Sequence, residues 1–164
     1  MRERIICSLL LLVVTNLCFC KEYNPYGTIK HSRISVELDY TESLIAGQSY
    51  DVFSDYQEDM VTMKKEWYGK FISNFYPPVE KSKVQIVKEQ AQFYLKIKFH
   101  TIERNGDLSA NVLLFDSEGN LLAQKEFRGK GGHIGSLSNL IGDGHESLGE
   151  NVGWFFRHKM AHSK

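Results

Sequence analysis

The chain has 164 residues, and its 20 basic and 20 acidic side chains leave no formal net charge at pH 7. This length suits one domain with a leader, and a hydrophobic content of 42% is ample for a core. The balanced charge gives no basic excess of the kind that drives nucleic-acid binding, so we expect no nucleic-acid partner.

The N-terminus has the pattern of an export signal. Two arginines precede an apolar run over residues 5–19, which is too short and too poorly flanked for a stable spanning helix. We predict a signal peptide over residues 1–20, and cleavage there would remove all three cysteines. Alternatively, Cys20 is lipidated, because Leu17 and Cys20 fit the spacing of a lipoprotein signal, although Phe19 does not. The sequence leaves open whether the exported protein is periplasmic or secreted, or is anchored to the outer membrane through Cys20.

A flexible lead-in over residues 21–32 and a single domain over residues 33–162 are predicted to follow. Ile34, Val36 and Leu38 alternate with polar residues, which is typical of a half-buried strand. After this strand a connection carries the chain to the first helix, and Ala46-Gly47 is expected to turn it.

The first helix is predicted from apolar residues that recur at steps of three or four: Phe53, Tyr56, Met60, Met63, Trp67, Phe71 and Phe75. Ser54 or Asp51 could cap its start, and Pro77-Pro78 is expected to end it. The aromatic stripe could line a ligand groove, but amphipathic helices normally bury such a stripe. We therefore favour a core face packed against a sheet.

A three-stranded antiparallel meander is predicted over residues 93–128, after a short strand at residues 84–87. Alternation is clearest from Phe93 to His100, where Lys96 and Lys98 would face solvent. The two turns are expected at Asn105-Gly106-Asp107 and at residues 116–120.

The last element is predicted to be a helix after a glycine-rich loop. Ser136 or Ser138 can cap it. Its glycines at positions 142, 144, 149 and 153 indicate either close approach to a sheet or a break. We favour a break near Gly142–Gly144, with the stronger helix from about Glu146 to Met160.

The loop over residues 129–135 holds the candidate ligand-binding residues Lys130, Gly131, Gly132 and His133. Its glycines must allow positive φ or let another backbone come close. Backbone amides before a helix attract phosphate or carboxylate, and the two cationic side chains would add positive charge. The phosphate-loop and dinucleotide patterns are both missing from the sequence, so a tightly packed connection is the favoured interpretation.

Catalytic motifs are not found in the sequence. GxSxG and HExxH are missing, and a cysteine nucleophile would leave with the signal peptide. Asp143 and His145 with His133 could supply three metal ligands, and His158 and His162 lie four residues apart, but neither set defines a metal site. We expect no catalytic residues, no metal site and no cofactor, and hence no enzyme.

The element order is β-α-β-β-β-α. It predicts an α+β fold with one mostly antiparallel sheet of four to five strands. Two helices would lie on one face of the sheet, and the other face would be partly solvated.

Several segments resemble small exported proteins of unknown function from Gram-negative bacteria: LDYTESLIAG, EGNLLAQ, GKGG, LIGDG and GENVGWFF. The resemblance covers most of residues 33–160. More distantly, the layout is similar to accessory domains of outer-membrane lipoproteins, such as activators of penicillin-binding proteins and the curli-secretion lipoprotein. These resemblances imply roles in binding and assembly rather than in catalysis.

We therefore expect an exported, non-catalytic envelope protein that binds another protein or an envelope component, with membrane contact only through a lipid on Cys20. The alternative is a small-ligand or anion-binding domain that uses the loop 129–135. A broad exposed apolar patch would favour the protein partner, and a deep pocket with convergent polar groups would favour the ligand.

Overall fold

The computed structural model describes residues 24–55 and 59–163, so the predicted signal peptide and Cys20 lie outside the described residues. Within them, a 3-10 helix (Pro25–Ile29) is followed by β1 (Arg33–Asp39), β2 (Leu44–Ile45), β3 (Gln48–Ser49), α1 (Tyr50–Asp55), α2 (Met60–Glu80), β4 (Gln85–Ile86), β5 (Phe93–Ile102), β6 (Leu108–Asp116), β7 (Leu121–Gly129) and α3 (Leu137–Ala161). No helix of this part of the chain is both long enough and apolar enough to span a membrane.

One mixed sheet joins all seven strands. At its centre, β5 pairs antiparallel with β6 along one edge, and parallel with β1 and then β2 along the other. Beyond these, β7 lies antiparallel to β6, β4 lies parallel to β1, and β3 forms a hairpin with β2. The α+β class and the meander are as predicted, and most residue pairs are antiparallel.

The strand and helix counts differ from the prediction. The described chain has seven strands rather than four to five, and three α-helices rather than two. The additional strands β2 and β3 have two residues each, as does β4, and two residues cannot display a hydrophobic period. They form because the chain beside β5 and β1 offers them backbone partners.

The core lies on one face of the sheet. Alternate residues of β5 and β6 are buried on that face: Leu95, Ile97, Phe99, Ala110, Val112 and Leu114. The long helices α2 and α3 both contribute to this core, so they share one face of the sheet, as the sequence predicts. The other face carries Lys96, Lys98 and His100, which are partly exposed.

The long helix α2 begins at an acidic cap. The Asp59 carboxylate accepts a hydrogen bond from the Thr62 amide at 3.3 Å, and α1 is a separate short helix. The predicted cap at Ser54 or Asp51 therefore does not start the long helix.

The prediction that Pro77-Pro78 ends α2 is wrong, because the helix continues to Glu80. Proline holds φ near the helical value, so the backbone can complete a last turn. Pro78 and Val79 are both buried in that turn, and their burial offsets the backbone hydrogen bonds that the prolines cannot donate.

The helix α3 is continuous, so the predicted break near Gly142–Gly144 is wrong. Two of its glycines lie where the backbone of α2 comes close. A side chain at Gly149 would overlap the carbonyl of Phe71, and one at Gly153 would press on the carbonyl of Phe75. This pair, the glycine seam, lets two helices pack at backbone distance, and that packing offsets the low helix propensity of glycine.

Part of the predicted flexible lead-in is folded against the domain. Residues 24–32 include the 3-10 helix, in which Ile29 is fully buried. The ring of Tyr26 packs edge-on against Phe155 of α3, with centroids 5.0 Å apart. The side chains of Ile29 and Tyr26 anchor this segment, although its Asn, Pro and Gly residues had predicted flexibility.

Candidate functional site

The glycine-rich loop meets the β5–β6 turn and the first turns of α3. A side chain at any of four glycines would overlap backbone atoms of a neighbouring segment, and these glycines are Gly106, Gly129, Gly131 and Gly144. We name this set the glycine junction. It brings three segments into backbone contact, which only glycine permits.

The four predicted ligand-binding residues lie in or next to this junction, and their surroundings differ. Lys130 and His133 are exposed. A side chain at Gly132 would meet the carboxylate of Asp143. The Gly131 amide donates to the Asp107 carboxylate at 2.8 Å, so a carboxylate of the protein itself occupies the place that an anionic ligand would take at this amide.

The pKa of Asp107 lies below its usual range. The hydrogen bond from Gly131 contributes most, followed by the side-chain amide of Asn105, while partial burial opposes the shift. The charges of Lys130 and His133 lower the pKa of Asp107 further. The carboxylate is therefore ionised at neutral pH and offsets positive charge in the loop.

An open groove of about 490 Å³ lies beside the junction. Lys130 and Arg128 line it together with the acidic residues Glu103 and Asp107. Its polar groups also pair with one another: the Thr101 and Ser109 hydroxyls lie 2.9 Å apart, and the Asn151 amide donates to the Arg128 carbonyl at 3.0 Å. The groove has a mixed charge rather than a concentration of donors for one anion.

A buried polar pair beneath α3 has no signature in the sequence. His145 is fully buried. Its Nδ1 lies 2.8 Å from the Ile141 carbonyl and its Nε2 lies 2.8 Å from the Tyr40 hydroxyl. Because a carbonyl can only accept, Nδ1 carries the proton and Nε2 accepts from Tyr40.

Burial lowers the pKa of His145 to about 4, and the charge of Lys70 acts in the same direction. The hydrogen bond to the Ile141 carbonyl opposes the shift. His145 is thus neutral at physiological pH.

Aromatic rings enclose the His145–Tyr40 pair. Trp67 stacks on the imidazole with centroids 5.4 Å apart, and Phe99 stacks on Tyr40 at 4.6 Å. The indole of Trp67 donates to the Ser138 carbonyl at 3.1 Å. No buried side-chain polar atom of the described residues lacks a partner. The cluster therefore joins β1, α2, β5 and α3 as a satisfied part of the core.

The residues considered as metal ligands do not form a metal site in the described part of the chain. Both ring nitrogens of His145 are engaged, and Asp143 pairs with Lys70 at 2.6 Å. The rings of His158 and His162 lie 4.3 Å apart. Over residues 24–55 and 59–163, no group of His, Cys, Asp and Glu side chains has an arrangement that could hold a metal ion.

The outer face of the sheet is apolar at one end. In the register of β5, β6 and β7, Tyr94 lies beside Phe115, which lies beside Leu121. Tyr94 and Leu121 are 44% and 51% exposed. With Leu113, these residues form what we name the outer apolar patch (Tyr94, Leu113, Phe115 and Leu121). The long helices α2 and α3 pack on the opposite, core face of the sheet.

Ion pairs border the patch toward the middle of the face. The Lys96 ammonium lies 2.9 Å from Asp39 and 3.3 Å from Glu37. Burial alone would raise the pKa of Asp39, but hydrogen bonds from Thr41 and the contact with Lys96 lower it to about 2. Charged and apolar strips thus run side by side on the same face.

Comparisons with known proteins give a likeness in structure alone. No protein-family model matches the chain, and no curated protein matches it. Protein XCC0632 from Xanthomonas campestris, of the family DUF330, aligns with a TM-score of 0.43 at 11% identity, over 76% of this chain and 83% of its own. The PelC dodecamer from Paraburkholderia phytofirmans aligns with a TM-score of 0.42 at 9% identity, over 80% of this chain and 91% of its own. At these scores the likeness defines neither a family nor a function for this chain.

Proposed function

We propose that this chain is an exported, non-catalytic envelope protein whose outer apolar patch binds another envelope protein. The patch itself carries the proposal, because contiguous apolar side chains on a solvated sheet face favour a protein contact. The bordering Lys96, Asp39 and Glu37 side chains would add specificity, since complementary charges select partners and fix register.

The placement of the titratable groups favours a non-catalytic role. Catalytic groups with shifted pKa values normally line a cleft that substrate can enter. Here the imidazole of His145, with its strongly lowered pKa, is fully buried among aromatic rings. The open groove beside Lys130 has carboxylates and cations without a nucleophile paired to a base.

A pull-down from the native envelope tests the partner. The bait is the chain from Lys21 onward, and the variant combines Tyr94→Ser with Leu121→Ser. The matched control is Val61→Ser, because Val61 is 79% exposed on α2. We expect a specific protein to be retained by the parent and the control and lost by the patch variant. Equal recovery with the patch variant would overturn the assignment of this surface.

Export is the second part of the proposal and rests on the leader pattern. The mature protein is either periplasmic or secreted from Lys21, or anchored through a lipid on Cys20. Mass spectrometry of the protein from fractionated native cells distinguishes these forms by mass. An intact Met1 form in the cytoplasmic fraction would refute export.

A second candidate function is small-ligand or anion binding at the loop 129–135. The groove of about 490 Å³ lined by Lys130 and Arg128 supports it. Calorimetric titration with inorganic phosphate is the test, with Lys130→Ala as the variant and Lys65→Ala as the control on an exposed helix position. Affinity that disappears only with Lys130→Ala would establish this candidate, and no measurable heat for the parent would exclude it for phosphate.

A further inference from the structure

The described chain begins at the end of the molecule where α2 and α3 finish. The Asn24 side-chain amide donates to the Lys159 carbonyl at 2.8 Å. The His31 amide donates to the Ser82 carbonyl, just beyond α2, at 3.1 Å. These two bonds fix the entry of the chain between the C-terminal ends of the two long helices.

Basic side chains gather at this end. We name as the basic end the residues Lys30, Lys81, Lys83, Arg157 and Lys159, together with Trp154. All are exposed except Arg157, which is partly exposed. Within the described part of the chain, none of the five cations forms an ion pair. Glu80 and Glu150 are the acidic neighbours on the same helices.

The half of the helix layer where α2 and α3 begin carries an excess of acidic side chains. There Asp51, Asp55, Asp59, Glu66, Asp143 and Glu146 outnumber the basic Lys64, Lys65 and Lys70. Lys70, halfway along α2, pairs with Asp143 and lies 4.0 Å from Glu146. The chain is neutral as a whole, but its charge is separated along the helices.

Trp154 adds an apolar side chain to the basic end. The residue is 50% exposed, and the Arg157 guanidinium lies 4.8 Å from the ring centroid. A shallow groove of about 240 Å³ joins Trp154 and Arg157 to Lys81 at the end of α2. A tryptophan beside arginine and lysine has the amphipathic character of side chains at a lipid–water interface.

The position of Cys20 limits where a membrane can lie. Only the short segment to Asn24 separates a lipid on Cys20 from the folded domain. At roughly 3.3–3.6 Å per residue, this segment spans at most about 14 Å. A membrane that holds Cys20 must therefore face the end of the molecule where the chain begins.

We infer that the basic end, with Trp154, binds an anionic lipid surface. The inference goes beyond the proposed protein partner, because it uses a different surface, and it rests on the export part of the proposed function. Phosphate headgroups would attract the unpaired cations over a Debye length of roughly 8 Å at physiological salt. Trp154 would enter the headgroup region, and the end where α2 and α3 begin would point away from the membrane. The basic end would bind the membrane together with a lipid on Cys20, or by itself if Cys20 is removed with the signal peptide.

Vesicle sedimentation tests this inference on the chain from Lys21 onward, which contains every described residue. One vesicle preparation is phosphatidylcholine alone, and the other has one part phosphatidylglycerol to two parts phosphatidylcholine. We expect binding to the anionic vesicles only, with loss at about 1 M salt, where the Debye length falls to roughly 3 Å. Trp67 is buried, so a blue shift of tryptophan emission on binding would report Trp154.

Matched charge reversals locate the surface. Lys81→Glu with Lys159→Glu should weaken binding by at least about tenfold. Lys65→Glu with Arg104→Glu reverses two exposed cations away from the basic end and should leave binding unchanged. Trp154→Ser should weaken binding and remove the emission shift.

Three results would overturn the inference. The first is no sedimentation with anionic vesicles, and the second is an equal loss of vesicle binding in the two double variants. The third is equally tight binding to duplex DNA, which would indicate a general polyanion surface. The outcome is separable from that of the proposed protein partner. Tyr94→Ser with Leu121→Ser should leave vesicle binding intact, and Lys81→Glu with Lys159→Glu should leave the envelope protein bound.

Discussion

His145 links the stability of the domain to pH through its burial. Its pKa is about 4 in the fold against 6.5 for a free histidine. Between these values the unfolded chain binds more protons than the folded chain, so stability rises with pH and falls on acidification from about 6.5 to about 4. The expected loss is on the order of 3 kcal/mol, since each unit of pKa shift corresponds to about 1.4 kcal/mol.

Urea denaturation at a series of pH values measures this loss. The variant His145→Phe lacks the titrating group, and its stability should change less across the same window, even if it is less stable throughout. If the free energy of unfolding of parent and variant changed with pH in parallel, the assignment of this pH dependence to His145 would be contradicted. Asp39 does not interfere, because its lowered pKa of about 2 moves its own contribution to pH below 3.8.

Trp67 is the largest side chain that the aromatic stripe of α2 places in the core. It is 1% exposed and stacks on His145. We expect Trp67→Ala to lower the free energy of unfolding by about 3–5 kcal/mol. Trp154→Ala is the control, because half of that ring already faces solvent and its removal should have a small effect. Similar denaturation midpoints for Trp67→Ala and the parent would restore the interpretation of the stripe as a surface groove.

At the loop, Lys130 and Gly131 separate a ligand site from a packing connection. Lys130 is exposed, so Lys130→Ala should leave the melting temperature nearly unchanged. A side chain at Gly131 would overlap the backbone of Asn105 and Gly106, so Gly131→Val should destabilise by about 1–3 kcal/mol. Calorimetry of both variants provides the measurement. A Gly131→Val protein as stable as the parent would argue against the packing role.

The destabilisation expected from Gly131→Val comes from contact with a neighbouring segment rather than from backbone conformation. Of the loop glycines, Gly135 has a left-handed φ, of 139°, whereas Gly131 does not. The sequence indicated that glycine was needed in this loop. It could not say which segment came close, because the β5–β6 turn lies about two dozen residues earlier in the chain.

Among the elements, the sequence predicted those whose pattern repeats over several residues. Alternation located β1 and the strands β5 to β7, and the faces of β1, β5 and β6 agree with the burial observed. In β7 a register shift opposite Leu114 and Phe115 puts Leu121 beside Phe115 on the outer face, while Ala123 lies beside the buried Leu114. The parallel pairing of β1 with β5 was not predicted, since it depends on how α2 crosses the core. The glycines of α3 were interpreted from helix propensity, and tertiary contact with α2 outweighed that preference.

Glycines on the two long helices should respond oppositely to the same substitution. Gly149→Ala places a methyl group on the carbonyl of Phe71, and we expect a loss of about 1–3 kcal/mol. At Gly69 nothing lies within 4 Å of an added Cβ, so Gly69→Ala should gain about 0.5–1 kcal/mol from helix propensity.

Denaturation midpoints of Gly149→Ala and Gly69→Ala measure the two effects side by side. Equal gains in stability at both positions would show that α2 and α3 do not meet at backbone distance. A loss at both would mean that Gly69 also lies in a contact.

For the whole molecule, zero net charge conceals a separation of charge. The balance of 20 basic and 20 acidic side chains gave no indication of an electrostatic surface. The separation arises because α2 and α3 both end where the chain enters the fold. Sequence patterns report neighbours along one helix, but they do not report which helix ends meet. The outer apolar patch was hidden for the same reason, since it combines residues from three strands.

The parallel pairing of β1 with β5 also shapes how fast the domain folds. Strands β5, β6 and β7 follow one another through short turns, so their contacts close small loops. By contrast, Arg33 and Gln92, which are hydrogen-bonded beside β1, lie 59 residues apart in sequence. Closing the larger loop loses more chain entropy before any contact compensates. We therefore expect the meander to form in the folding transition state and β1 to dock after it.

Chevron kinetics distinguish the two stages. Val112 on β6 and Ile34 on β1 are both buried, so alanine at either position removes core contacts. Val112→Ala should mainly slow folding, and Ile34→Ala should mainly speed unfolding. The reverse pattern would place β1 in the nucleus. On the expected route, β1, which follows the point where the chain enters the fold, is the last strand to join the sheet and the first to detach from it.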